Sequence, residues 1–390
     1  MEILAWLYVA ESVDAVVIGA GPAGLSAAEK LAEEGFHVIV LEKEAKPNYE
    51  KLCGGYVPAS VFELFSIPEA IADYSVKGVK IVASSGEWTI EFDEVVGYNV
   101  DRTKFAEYLA RRVEKAGGEV LTNTMALKVE QDDKGVTVVC RDQCFRAKMV
   151  VAADGVYSRV GGMIRGGFSA EELGLAIQVK SSLSKSFAKS IGGLNVIFLG
   201  REFSPLGYAY AFPKRSHVDV GVGTLVARAR EVDMEKYLDR VLSRCGLSRV
   251  SKARYAAVPL TGPLLNIVDR RILLAGDSAG HVAPLIGEGI KFALTAGRLA
   301  AESIVEYLNN RISLCGVEKF YLCRLKKSFY GRLKLEKIVL KLFKKRKMSS
   351  SKFLRDPKMR EIIAELYLDK REFQQLFLAS LLRIPLVFLK

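Results

Sequence analysis

Cysteine is scarce and unpaired in this sequence, histidine is scarcer, and no apolar run reaches the length a bilayer demands. The six cysteines, Cys53, Cys140, Cys144, Cys245, Cys315 and Cys323, form no CxxC pair in a chain of 390 residues. Neither a zinc site nor a disulfide framework is indicated, and a reducing, cytoplasmic setting is expected. With only three histidines, no Ser-His-acid cluster and no metal-spaced ligand set emerges, so no metal is expected. Residues 376–389 are apolar but broken by Arg383 and Pro385, short of the roughly 18–20 residues of a spanning helix. Residues 1–10 are apolar too, yet carry Glu2 where a signal peptide has basic residues, so none is read there.

What is present is a globular balance, 50% hydrophobic and 26% charged with 33 Gly and 11 Pro, which excludes disorder and collagen. The length predicts two or three domains. Net charge is +12, and its location matters more than its size. Residues 311–390 hold 21 Lys+Arg against 7 Asp+Glu, leaving 36 against 38 in residues 1–310. A diffuse nucleic-acid surface is therefore excluded, and the basic tail needs its own explanation.

Residues 13–18 are a β-branched run suited to a strand buried on both faces. Gly19-Ala20-Gly21-Pro22-Ala23-Gly24 follows, then a helix-period segment that Gly35 ends, then a second buried strand closing on Glu42, 23 positions after the first glycine. Gly19 permits the tight turn, Gly21 lets the backbone approach a pyrophosphate, and Gly24 lets helix and strand pack closely; Glu42 can accept from ribose hydroxyls. Strand, turn, helix, strand and acid in this order predict dinucleotide binding, with FAD and NAD both open at this point.

Two later strand ends also carry acids, Asp154 after residues 148–153 and Asp277 after residues 271–275. An Asp there can bind a polyol chain, which FAD has in its ribityl group and NAD lacks. The segment Gly287-Glu288-Gly289-Ile290 opens an amphipathic helix, whose positive end would face charge accumulating on a reduced flavin. These segments, with Asp101-Arg102 opening another helix, resemble the FAD flavoprotein superfamily of aromatic-ring hydroxylases. That resemblance implies roles for Asp277 at the ribityl chain, Arg102 at the FAD phosphate or ribose, and the backbone of Ala126 at adenine.

Two more segments narrow the likeness. Lys51-Leu52-Cys53-Gly54-Gly55 lies in a loop expected to pass near the flavin, and residues 205–213 read PLGYAYAFP before a KRSH turn and the glycine-rich strand DVGVG. Both are similar to the geranylgeranyl reductase family, including the archaeal digeranylgeranylglycerophospholipid reductases. The sequence departs in having Tyr210 where the family usually shows Trp. The likeness implies Cys53 and Gly54 near the flavin and Tyr208, Tyr210 and Phe212 along the prenyl substrate. Alternation places those three on one face of a strand, opposite Ala209 and Ala211; the face suits a prenyl channel or an ordinary core. Cys53 is expected to act as proton donor or gate, and Cys53, Tyr208 and Tyr210 are the catalytic candidates. His37 and His217 read as structural, and His281 as able to reach the flavin region.

Residues 332–347 read as a basic helix, with Leu335, Ile338, Val339, Leu342 and Phe343 on one side and Lys334, Lys337, Lys341, Lys344 and Lys345 on the other. It can dock on the body or, together with residues 376–390, lie on an anionic membrane surface. The expected fold is α/β, a discontinuous Rossmann-like FAD-binding domain (12–56, 98–165 and 265–310), a β-rich prenyl-binding domain (57–97 and 166–264) and a basic C-terminal helical region (311–390). The expected activity is FAD-dependent saturation of geranylgeranyl chains of membrane lipid precursors. Hydride comes from flavin N5, and NAD(P)H or a ferredoxin-like electron donor protein is the reductant. An FAD monooxygenase, a prenylquinone side-chain reductase and a lipid binder without turnover are the alternatives. The setting is the cytoplasm, with peripheral attachment at the inner membrane face.

Overall fold

The computed structural model describes residues 11–49, 51–346 and 354–380; the expectations for residues 1–10, for Lys347 and for residues 381–390 lie outside them. The β-branched run becomes the inner half of the strand Glu11–Ile18. Parallel pairing sets Val17 opposite Val40 on one side and Val151 on the other, and Val151 opposite Leu273. All four are fully buried, which is why the sequence shows apolar runs instead of alternation. A fifth parallel strand, Glu119–Leu121, borders Val38–Leu41.

These strands belong to the first of two compact units, comprising Met1–Lys51, Arg102–Phe168 and Pro259–Lys337. Two helices cover the sheet around Ala23. Pro22–Glu33 begins with proline in its first turn, where the missing N–H costs nothing. Ile290–Leu308 crosses it at Gly297, where a Cβ would stand 2.0 Å from Ala23 O. Only glycine permits that approach.

The second unit comprises Leu52–Asp101, Ser169–Val258 and Ile338–Lys390. Its two long insertions leave the first unit after Lys51 and after Phe168, so neither unit is continuous in sequence. Its seven-stranded sheet runs, in spatial order, Arg254–Pro259, Leu173–Ser182, His217–Leu225, Gly207–Pro213, Leu194–Leu199, Gly78–Ala83 and Gly86–Glu91. One face, with Ala209, Ala211, Val220 and Val222, packs on the helix Met234–Cys245. The other carries Tyr208, Tyr210 and Phe212 and is covered by Leu354, Ala364, Tyr367 and Leu368 from the C-terminal segment. Part of the basic tail is thus core material for the second unit.

The helix Gly331–Arg346 differs from its expected two-sided pattern. Leu333 and Glu336 are its fully buried positions, whereas Ile338 and Leu342 remain 45% and 49% exposed beside exposed Lys334 and Lys341. Buried Glu336 pairs with Arg332 and accepts from Leu285 N, and apolar and basic residues share the outer surface. Among the described residues, no helix is long and apolar enough to cross a membrane.

Candidate active site

In the first unit the ligand-facing groups are mostly backbone. Gly19 has φ +101°, and a Cβ on Gly24 would lie 1.9 Å from Gly19 O; the turn therefore closes directly onto the helix. Gly21, the N-cap residue, has nothing within 4 Å of its missing Cβ, and no side chain caps the helix. Its first N–H groups are left for an anion. Glu42 is 7% exposed and accepts from Ala20 N at 2.9 Å and Glu44 N at 3.0 Å. One bond per carboxylate oxygen leaves lone pairs for ribose hydroxyls.

The remaining candidates of this unit divide. Arg102 opens the helix Arg102–Lys115 and, with the Asn48 amide oxygen turned toward it, donates from Nη2 at 2.9 Å and Nε at 3.2 Å. Ala126 lies in the loop whose Thr124 N–H donates to Glu42 O at 2.7 Å, which ties that loop to the carboxylate's own strand. Asp277 sits in the tight turn Gly276–Ala279, with Lys51 Nζ 3.7 Å from its carboxylate. Gly287, with φ +71°, leads into Gly289, the N-cap of Ile290–Leu308; that helix also lacks a side-chain cap. Asp154 is engaged differently, accepting from Ser158 Oγ and from Arg159 N at 3.1 Å, so it closes its own turn. Burial nevertheless holds its carboxyl above the usual range.

FAD fits this set. The open face at Gly21 and two uncapped helix N-termini suit its phosphates and pyrimidine, and Glu42 and Asp277 suit its two polyols. His281 plays another part. It is fully buried, its Nδ1 accepts from Gly276 N at 3.2 Å, and its Nε2 lies 3.2 Å from Tyr330 Oη. Tyr330 in turn donates to Leu264 O at 2.8 Å. The ring is therefore the neutral Nε2–H tautomer, pushed down to about 3 by burial alone. It braces the turn that presents Asp277. Tyr330 comes from a π-helical stretch, Lys326–Tyr330, which no sequence signal announced. His37, outside the cradle, joins exposed Glu11 and Glu119 in a surface cluster.

In the second unit the groups are side chains. A Cβ on Gly54 would lie 2.4 Å from the Phe212 ring, and one on Gly221 2.4 Å from the Tyr210 ring. The Cys-Gly-Gly loop and the glycine-rich strand are thus the flat surfaces against which the aromatic row lies. Tyr210 and Phe212 pack at 4.7 Å between centroids, and Tyr210 Oη donates to Gln178 Oε1 at 2.8 Å. Burial, then the neighbouring Cys53 and Asp219, pushes the Tyr210 hydroxyl well above its ordinary pKa. Tyr367 adds edge contacts to Tyr208 and Phe212 at 6.2 and 5.9 Å. Cys53 is part-buried, and its Sγ accepts from Gly55 N at 3.3 Å.

The residue that fixes this loop escaped the sequence reading. Lys214, 2% exposed, donates from Nζ to Gly54 O at 2.7 Å and Val100 O at 2.8 Å. Burial pulls its ammonium below the usual lysine value, although Asp219 and Cys53 oppose the shift. In sequence it belongs to a short charged turn, which reads as exposed. Tyr367 was hidden for a similar reason, lying in a tail whose net charge suggested solvent or membrane.

The FAD binding domain family matches residues 12–189, and the geranylgeranyl reductase catalytic domain family matches residues 175–258. The chain is 31% identical over 314 residues to a geranylgeranyl diphosphate reductase of Synechocystis, covering 75% of each chain. It is 28% identical over 298 residues to a digeranylgeranylglycerophospholipid reductase of Methanocaldococcus jannaschii, covering 74% of this chain and 76% of that one. A geranylgeranyl bacteriochlorophyll reductase-like protein of Thermoplasma acidophilum shares the fold with a TM-score of 0.78 at 24% identity, over 85% of this chain and 88% of that one.

Proposed function

The chain belongs to the geranylgeranyl reductase family, and from that premise we propose that it saturates the geranylgeranyl chains of a membrane lipid precursor with Cys53 as proton donor. It is an FAD-dependent oxidoreductase acting on C=C bonds. Bound FAD, once reduced, supplies hydride. Gly19, Gly21, Ala23, Gly24, Glu42, Cys53, Gly54, Arg102, Ala126, Asp154, Asp277, Gly287, Gly289 and Ile290 are the proposed cofactor contacts, with Glu42 and Asp277 the best placed by their surroundings. Tyr208, Tyr210 and Phe212 are the proposed substrate contacts, Tyr208 being partly exposed while Tyr210 and Phe212 are buried in the core cluster of the second unit. Cys53 holds a proton at Sγ beside them.

The observation that carries this reading is the seating of the Cys-Gly-Gly loop on the aromatic strand through Gly54 and Phe212. The Cys53 thiol belongs to that loop and is part-buried, accepting from Gly55 N. The test is anaerobic: dithionite-reduced holoprotein receives digeranylgeranyl glycerophospholipid, and flavin absorbance and product mass are followed together. Gain of hydrogen pairs with flavin reoxidation supports the proposal; a flavin that stays reduced until oxygen is admitted favours a monooxygenase. Repeating turnover with NADPH or with a reduced ferredoxin identifies the reductant.

Peripheral attachment to the membrane is the second element. Its support is the outer surface of Gly331–Arg346, where exposed Ile338 and Leu342 lie among lysines. Truncating the tail is a poor test because Leu354, Ala364 and Leu368 are core residues of the second unit. Ile338→Glu with Leu342→Glu avoids that difficulty. Sedimentation with anionic vesicles should fall in the double variant, and unchanged sedimentation would sink the membrane element.

A further inference from the structure

The second unit buries a lysine that anchors the Cys-Gly-Gly loop and, beside it, an aspartate that the loop does not touch. Lys214 and Asp219 have side chains 2% and 8% exposed, with Nζ and Oδ2 3.8 Å apart. Asp219 Oδ1 has no hydrogen bond, although His217 Nε2 stands 3.3 Å from it. His217 is 17% exposed, and its Nδ1 is 3.2 Å from Ser216 Oγ. Exposure thus falls steadily from His217 through Asp219 to Lys214. At the inner end, Lys214 Nζ bonds Gly54 O and lies 2.5 Å from where a Gly55 Cβ would stand. Gly55 is the residue whose N–H donates to Cys53 Sγ. Asp73 and Asp101 are the other charges that act on the lysine.

Buried charges are costly even when paired, and such groups cluster at functional sites. Each alkene reduction consumes one proton at a site built to exclude water, so the donor must be reloaded before the next. We propose that His217, Asp219 and Lys214 form a relay that carries protons from solvent to Cys53. This rests on Cys53 being the donor. After Cys53 gives its proton to the substrate carbon, the thiolate takes one from the Lys214 ammonium. The His217 imidazolium gives its Nε2 proton to Asp219 Oδ1; the resulting carboxylic acid, after its carboxyl group turns, passes that proton to the neutral Lys214 amine, which restores carboxylate and ammonium, and the neutral imidazole is reprotonated from water. Burial, which weakens the lysine's hold on its proton, favours the first of these transfers.

The relay separates the first turnover from later ones. Holoenzyme reduced with dithionite and mixed anaerobically with geranylgeranyl diphosphate gives the first turnover as flavin reoxidation. Excess dithionite gives the steady state, and an indicator dye gives proton uptake. His217→Gln, at the outer end, should keep its first turnover within about twofold of the parent while steady-state turnover and proton uptake slow about tenfold or more, in line with the weight of general acid catalysis. Added imidazole should restore both, which a merely structural role would not allow. First turnover and steady state lowered equally, or a steady state in His217→Gln that matches the parent from pH 6 to 9, overturns the relay. Cys53→Ala separates the two ideas. If it loses the first turnover while His217→Gln is unaffected, the relay alone fails; if its first turnover is normal, the donor and the relay's destination fail together.

Discussion

In the first unit the groups offered to a ligand are backbone N–H donors held by glycines, together with one carboxylate already anchored at both oxygens. In the second they are rings, a thiol and a buried ammonium, brought from segments as far apart as Cys53, Lys214 and Tyr367. A phosphate is recognised by geometry that any residue type can supply once the turn is right, so a few glycines suffice. A prenyl chain offers no hydrogen bonds, so its site must be shaped by packing. The first kind of site tolerates side-chain drift and not backbone drift; the second should behave in the opposite way.

The strongest way to break that contrast is at Gly24. Gly24→Val places a branched side chain where even a Cβ would meet Gly19 O at 1.9 Å, a backbone clash that nothing flexible can relieve. The variant should be isolated colourless, with flavin affinity weakened about 100-fold or more, read by absorbance after gel filtration. Cys53→Ala probes the other side: flavin affinity should match the parent while alkene reduction falls about 100-fold, the lower end for loss of a general acid. Parent-like turnover would remove Cys53 from the chemistry.

Tyr210→Phe sharpens the comparison within the second unit. It leaves buried Gln178 without its donor, and should lower stability by about 1–3 kcal/mol in urea titration without altering flavin content. The smallest expected effect is a slope. His281 is neutral in the fold, pushed down to about 3 from 6.5, so the unfolded chain binds more protons between those values. Its stabilisation is complete above pH 6.5 and declines as pH falls toward 3, by roughly 1 kcal/mol per pH unit. Urea midpoints of the parent should therefore fall faster between pH 6 and pH 4 than those of His281→Gln. Equal slopes would show that the ring is not held neutral.

The same contrast explains what could be read in advance. The glycine turn with its strand and helix was legible because the three are contiguous and each follows from local backbone geometry. The alternation of Tyr208, Tyr210 and Phe212 with Ala209 and Ala211 was legible for the same reason, since a strand alternates whatever its neighbours. His281 follows Asp277 in sequence and from there reads only as able to reach the flavin region. It became a brace only because Tyr330 and Leu264 meet it from elsewhere in the chain.

Sequence by itself determined the α/β class, the dinucleotide fingerprint and the faces of the aromatic strand, all of which follow from spacings of a few residues. Tertiary structure alone decided that Lys214 is buried, that Asp219 and His217 line up behind it, and that Tyr367 belongs to the aromatic wall. Burial depends on what covers a residue, and here the covers lie 114 or more positions away: Gly54 and Val100 over Lys214, and the aromatic strand over Tyr367. No local pattern records a contact of that range, so a charged turn and a basic tail look the same in sequence whether they face water or close a core.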